Sequence, residues 1–195
     1  MKNQLFTTKK IVIAALLAAL TVAGSALRIK VPADIVGTSA FHLGNIMCSL
    51  SGILLGPWLG GLAAGLGSAI YDMFDPVYIS ECWLTFLMKG AYGLVAGLIA
   101  WNGGKKPWDA CCKRGYVKAF FATTAGALTY AGLYLAKSYF YSGIFLHGLT
   151  PDAALVNVIG KLPATTFNAV VAMIGAPVLA TAISKALAKA HLTLE

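Results

Sequence analysis

The amino-acid sequence predicts an all-α integral membrane protein, a bundle of six transmembrane helices with its N- and C-termini in the cytoplasm. Hydrophobic residues make up 58% of the 195 residues, and charged residues make up 11%. A soluble domain typically carries about 25% charged residues. The mean hydropathy is +0.76. Several long apolar runs in one short chain leave no soluble core that could enclose them, so the bilayer is the predicted solvent.

Six apolar segments account for the predicted helix count. They lie near residues 10–27, 40–55, 58–74, 83–101, 117–136 and 155–188. At about 1.5 Å per residue, each crosses most or all of a hydrocarbon core about 30 Å thick. The Gly56-Pro57 pair predicts a tight turn between the second and third segments. Pro163 and Pro177 predict kinks or an interfacial tail in the last one. Because the sequence pattern contains no domain boundary, residues 1–195 are expected to form a single substrate-binding membrane domain.

The distribution of charge predicts the topology. Basic residues concentrate before the first segment and between the fourth and fifth: Lys2, Lys9, Lys10, Lys105, Lys106, Lys113, Arg114 and Lys118. Six crossings place both groups on the cytoplasmic side, as the positive-inside rule requires. The formal net charge of +8 is therefore attributed to topology, and no nucleic-acid partner is expected. The predicted location is the bacterial plasma membrane, in a multi-pass arrangement surrounded by lipid.

Motifs of known catalytic chemistry are missing from the sequence. It contains no His-Glu-x-x-His, Gly-x-Ser-x-Gly or Walker motif, and it has only seven acidic residues. We therefore expect no enzyme activity, no metal and no cofactor, and a chain that cannot hydrolyse ATP by itself.

Polar residues within or beside the apolar segments mark the candidate binding site, because polar groups are costly in a bilayer. With neighbouring aromatics, the candidates are His42, Asn45, Asp72, Tyr78, Trp83, Lys89, Tyr139, Asn157 and Lys161. The topology places nearly all of them in the outer half of the bundle, which predicts a polar cavity open to the outside. The alternatives are structural: Asp72 and Lys89 would form a neutralising ion pair, and the aromatics would form an interfacial belt.

The first segment carries a run of small residues. Ala14, Ala15, Ala18, Ala19 and Ala23 form overlapping pairs four residues apart, which allow close approach of another helix. The approaching helix would belong either to a partner protein in the membrane or to the same bundle.

Several motifs together resemble a known family. They are Phe41-His42-Leu43-Gly44-Asn45, Leu55-Gly56-Pro57, the glycine- and alanine-rich run 60–68, Tyr71-Asp72, and Thr85-Phe86-Leu87-Met88-Lys89-Gly90. In this order and spacing they resemble the substrate-binding S component of an energy-coupling factor (ECF) transporter.

The resemblance implies a protein that captures a small water-soluble vitamin or vitamin precursor from the outside. It also implies association with a transmembrane coupling subunit, the T component, and with two cytoplasmic ATPases. The family's alanine motif, which contacts the coupling subunit, corresponds to Ala14, Ala18 and their neighbours. Pantothenate would need a cation, with Lys89, Lys161 and Arg28 as candidates. Hydroxymethylpyrimidine or pyridoxine would favour aromatic stacking and polar groups such as His42, and the sequence leaves this choice open.

A self-sufficient secondary transporter or channel is the alternative function. A proton-coupled carrier usually needs an acidic residue near mid-membrane, and Asp72 falls near an outer helix end. Carriers also tend to contain an inverted repeat, and no convincing repeat is evident in the sequence.

Overall fold

The computed structural model describes residues 7–31, 38–104, 108–109 and 113–189, and structural statements below refer to these residues. Within them the chain forms α-helices and one two-stranded sheet. In chain order the elements are α1 (Thr8–Ala26), β1 (Arg28–Val31), β2 (Ser39–His42), α2 (Gly44–Leu55), α3 (Pro57–Met73), a 3₁₀ turn (Ile79–Glu81), α4 (Cys82–Ala100), α5 (Lys113–Ala136), a π-helical segment (Lys137–Leu146) and α6 (Pro151–Lys189). The helical bundle predicted from hydropathy is therefore present.

Helix α2 is the central element of the bundle. Nearly all of its side chains are buried, and it contacts each of the other five α-helices. It has only 12 residues, which correspond to about 18 Å of helix. Most of its residues are apolar or small, and the hydroxyls of Ser49 and Ser51 have hydrogen-bond partners at Thr123 and at the Met47 carbonyl, so its neighbours can enclose it.

Glycine allows α2, α3 and α4 to pack closely. Gly56, between α2 and α3, has a φ of 82°, a conformation that side-chain-bearing residues rarely adopt. A Cβ atom on Gly97 in α4 would lie 2.6 Å from the backbone N and Cα of Pro57. The backbones of α3 and α4 thus meet where a side chain would not fit, which is the packing that small residues permit between membrane helices.

The short β-hairpin is a feature that the sequence pattern did not predict. Residues 40–42, assigned from hydropathy to the second helix, lie in β2, which pairs antiparallel with β1. Asn168 of α6 holds the other edge of β2: the His42 N–H donates to Asn168 Oδ1 at 2.9 Å, and Asn168 Nδ2 donates to the Ala40 carbonyl at 2.8 Å. These long-range bonds satisfy the strand backbone, so helix α2 begins only at Gly44.

The two C-terminal helices are longer than their apolar segments suggested. Helix α5 continues into the π-helical segment up to Leu146, and α6 is continuous over 39 residues through Pro163 and Pro177. By length and composition, four helical stretches could cross a membrane: Thr8–Ala26, Ile79–Ala100, Arg114–Leu146 and Pro151–Lys189.

Substitution of Gly97 tests the close packing. We expect Gly97→Ala to destabilise the protein by about 1–3 kcal/mol, because the new methyl group would overlap the Pro57 backbone. The measurement is thermal unfolding of the purified protein in detergent. Gly132→Ala in α5 is the control, since no atom lies within 4 Å of a Cβ at that position. Equal unfolding temperatures for the two variants would contradict the packing described here.

Candidate functional site

A cavity lies at the end of the bundle that carries the hairpin. It contains about 740 Å³ of empty space, part of it open to solvent. Its wall is formed by Ser25, Arg28, Ala40, His42, Ser68, Asp72, Tyr78, Glu81, Thr85, Met88, Lys89, Tyr130, Tyr134, Lys137, Ala164, Thr165 and Asn168. All α-helices except α2 contribute to this wall, together with β2 and the loop residues around the helix ends.

The N-terminal end of α2 lies beside this cavity. His42 stands just before the helix, and its Nδ1 accepts a hydrogen bond from the Gly44 N–H at 3.2 Å. Asn45, in the first turn, is 2% exposed and accepts a hydrogen bond from Lys89 Nζ through its Oδ1. The short central helix therefore ends where the cavity begins, and its first turn supports a cavity-lining cation.

Tyrosine rings form one side of the cavity. Tyr130 stacks between Tyr92 and Tyr134, with ring centroids 6.0 and 5.8 Å apart and planes within 22° of each other. Lys89 Nζ lies 4.1 Å from the centroid of Tyr130. An ammonium group over an aromatic ring is attracted by the ring's quadrupole. The arrangement offers aromatic surfaces and a cation to the same space.

The rim near the hairpin is a network of charges. Arg28 Nη2 lies 3.8 Å from Asp72 Oδ1, and Arg28 Nη1 lies 3.4 Å from Asp75 Oδ2. Lys30 Nζ lies 2.9 Å from the same Asp75 oxygen. The Arg28 guanidinium also lies 4.1 Å from the centroid of the Tyr71 ring. These contacts attach β1 to the C-terminal end of α3.

A second ion pair joins the 3₁₀ turn to the π-helical segment. Lys137 forms a salt bridge with Glu81 Oε2, and Ser142 Oγ donates to Glu81 Oε1 at 2.9 Å. Glu81 is 8% exposed. Because both oxygens of this carboxylate have partners, its charge is compensated within the wall.

The loop carboxyl of Asp75 has a lowered pKa. Burial alone raises the pKa, but several interactions outweigh it: the hydrogen bonds from Lys30 and from the Val77 N–H, and the positive charges of Lys30 and Arg28. The Val77 N–H donates to Asp75 Oδ1 at 3.1 Å. The ionised form of Asp75 is therefore favoured in the folded protein.

Four of the candidate residues from the sequence lie on the cavity wall: His42, Asp72, Tyr78 and Lys89. Asn45 lies behind the wall, bonded to Lys89. Asp72 and Lys89 do not form the ion pair considered as an alternative, because the salt-bridge partner of Asp72 is Arg28.

The other candidates occupy different surroundings. Trp83 is 53% exposed and contacts the edge of Tyr141, and Tyr139 packs against Phe140. Asn157 and Lys161 are buried in α6 without lining the cavity. Lys161 Nζ is 5.9 Å from the centroid of Tyr134, a ring that does line it.

Sequence reasoning missed several wall residues. Tyr130 and Tyr134 stand four residues apart in α5, a spacing that places them on one helix face. That spacing could have marked the two tyrosines as a pair, but it does not show whether their helix face points into the bundle or toward lipid. Glu81 and Lys137 were assigned to outer loops, where their charges gave no sign that they pair with each other.

The alanines of α1 divide between two environments. Ala14 is 9% exposed and belongs to the core. Ala18 packs against the core, where its carbonyl lies so close to Gly67 of α3 that a Cβ atom there would overlap it. Ala15, Ala19 and Ala23 are exposed on the outer face. One side of α1 therefore packs within the bundle, and the other side carries exposed alanines whose contact with a partner helix stays a prediction.

Comparison with known proteins identifies relatives of this chain. A family model described as "ECF-type riboflavin transporter, S component" matches residues 5–185. A protein of Pyrococcus woesei, described only as an uncharacterized protein in a gap 3′ region, is 29% identical over 125 residues. This alignment covers 64% of the chain and 74% of the relative. Among the described residues, no group of three or more His, Cys, Asp or Glu side chains could hold a metal ion.

The lowered pKa of Asp75 predicts how the stability of the folded protein depends on pH. A carboxyl whose pKa is lowered on folding stabilises the folded state above its unfolded pKa of about 3.9. This stabilisation disappears as the pH falls through the lower pKa that Asp75 has in the folded protein. We therefore expect the unfolding temperature of the wild type to fall more steeply than that of Asp75→Asn between about pH 5 and pH 2. Thermal unfolding across this range measures the difference, and parallel curves for the two proteins would contradict the charge network.

Proposed function

Because the chain belongs to the family of ECF-type riboflavin transporter S components, we propose that it captures a small water-soluble vitamin at the outer face of the cell membrane and delivers it to an ATP-driven importer. ECF S components are vitamin-binding transporter subunits and are not enzymes. The importer supplies the energy through a transmembrane coupling subunit and cytoplasmic ATPases. A self-sufficient carrier is correspondingly disfavoured.

The cavity at the hairpin end supports this proposal most directly. It combines aromatic surface from Tyr130 and Tyr134 with charged groups such as Lys89. Ligand pockets typically join apolar and aromatic walls to a few well-placed polar groups. A purely structural bundle would have no reason to keep such groups around an open space, because each is costly in a membrane.

Charge and hydropathy support a topology of six spans with both ends in the cytoplasm. Four helical stretches are long and apolar enough to cross by themselves. Helices α2 and α3, with 12 and 17 residues, would complete the six as a tight pair joined at Gly56. In this orientation the basic connection between α4 and α5 lies inside, and the cavity opens to the outside.

Riboflavin is the first ligand to test, because the family model names it. It was not among the candidates derived from the sequence, which were pantothenate, hydroxymethylpyrimidine and pyridoxine. The stacked rings of Tyr130 and Tyr134 support a planar ligand such as the isoalloxazine ring, since aromatic groups favour offset stacking.

For coupling, we propose that the exposed alanines of α1 contact the T component. Ala15, Ala19 and Ala23 recur every four residues on the outer face, which allows a partner helix to approach the α1 backbone. The proposal leaves out Ala14 and Ala18, because Ala14 belongs to the core and Ala18 packs against it.

Ligand binding can be tested by thermal stabilisation. The purified protein would be titrated in detergent with riboflavin, pantothenate, hydroxymethylpyrimidine and pyridoxine. We expect at least one to raise the unfolding temperature, with a gain of about 2.7 kcal/mol at a hundredfold excess over Kd. Thr165→Trp, which fills the cavity, should abolish the shift. Val170→Trp, on the exposed face of the same helix, should retain it. If none of these vitamins stabilised the wild type, the proposal would fail.

Coupling can be tested separately from binding. We expect Ala19→Trp to leave vitamin binding unchanged and to reduce uptake by cells at least tenfold, because a bulky side chain blocks close helix approach. Leu20→Trp, at an exposed position on a neighbouring face of α1, is the control and should transport normally. Normal uptake by Ala19→Trp would exclude this face as the docking surface.

A further inference from the structure

The charges on the cavity wall are unevenly compensated. Three basic residues line the cavity: Arg28, Lys89 and Lys137. Two acidic residues line it as well: Asp72 and Glu81. Their pairing decides which charge remains available to a ligand.

Two of the three cations are compensated by carboxylates. Arg28 contacts both Asp72 and Asp75, and Lys137 contacts Glu81. These pairs also tie separate elements together, so their charges serve the structure of the rim. A ligand that bound them would have to compete with an existing carboxylate.

Lys89 is different. It lies in the second turn of α4 and is 4% exposed. Its ammonium group donates to the amide oxygen of Asn45 and faces the ring of Tyr130. Within the described part of the chain, no carboxylate forms an ion pair with it. An ammonium has three N–H donors, so the neutral amide acceptor leaves donor capacity and positive charge directed at the cavity.

A buried cation without a carboxylate partner is costly, because neutral acceptors replace the lost hydration only in part. A ligand oxygen that reached Lys89 Nζ would recover part of that cost, and a charge-assisted hydrogen bond is roughly twice as strong as a neutral one. The same cation would repel a positively charged ligand in a low-dielectric space.

We propose that Lys89 determines ligand class: the bound vitamin presents a carboxylate or carbonyl oxygen to Lys89 Nζ with its planar or apolar part against Tyr130 and Tyr134, and cationic vitamins are excluded. This inference rests on the proposed function, which it makes more specific. Asn45 positions the ammonium group from behind, since its oxygen holds Lys89 without itself lining the cavity.

The test compares the wild type with Lys89→Met, which keeps an unbranched side chain of nearly the same length and removes its charge and donors. The probes are riboflavin, which carries carbonyl oxygens, pantothenate, which carries a carboxylate, and the cation thiamine. We expect the wild type to bind riboflavin or pantothenate and not thiamine. Lys89→Met should weaken binding of the accepted probe about ten- to a hundredfold. If Lys89→Met loses more affinity for pantothenate than for riboflavin, the oxygen that Lys89 recognises is a carboxylate oxygen. If the wild type binds riboflavin and not pantothenate, it is a carbonyl oxygen.

Lys30→Met is the matched control. It removes the same charge from a lysine of the hairpin that pairs with Asp75 and does not line the cavity, so affinity should change less than twofold. Lys89→Gln is the second variant if Lys89→Met does not fold, and it should weaken binding at least tenfold because the charge is lost.

The outcomes separate this inference from the function on which it rests. A wild-type protein that binds none of the vitamins refutes the proposed function. A wild type that binds a vitamin with an affinity unchanged by Lys89→Met refutes the role of Lys89 and leaves the function standing. Thiamine binding by the wild type would also overturn the proposed exclusion of cations.

Discussion

The shortness of the central helix determines where this protein has room for a ligand. Helix α2 contacts every other helix of the bundle, yet its 12 residues span about 18 Å, well short of a hydrocarbon core about 30 Å thick. Helices α4, α5 and α6 continue past its N-terminal end. The space above that end becomes the cavity, and the β-hairpin that precedes α2 forms part of its wall. A full-length central helix would have filled this space with apolar side chains.

Polar groups around the cavity are satisfied by partners from distant parts of the chain. Asn168 of α6 completes the hydrogen bonds of β2, and Arg28 of β1 joins the carboxylates at the end of α3. Such pairing is required where water is scarce, since an unsatisfied polar group costs more in a membrane than at a soluble surface. Lys89 stands out because its acceptor is the uncharged amide of Asn45.

The first helix connects the two proposed activities. Its inner face packs on α2 and α3, its outer face carries exposed alanines, and its C-terminal end leads within two residues to Arg28 on the cavity rim. A partner docked along α1 would therefore contact the element that carries part of the proposed binding site. This proximity is a structural basis on which docking and ligand capture could influence each other.

The sequence by itself determined the helical membrane character, the approximate helix positions and the family, because hydropathy and motif order are local properties of the chain. It also grouped His42, Asp72 and Lys89 as candidates for one cavity, and all three line the cavity in the structure. Only the tertiary structure decided which side chains share the cavity. Trp83 and Tyr130 look equally suitable in sequence, yet one faces outward and the other lines the wall. That difference depends on the rotation of each helix about its axis, which contacts between distant segments set.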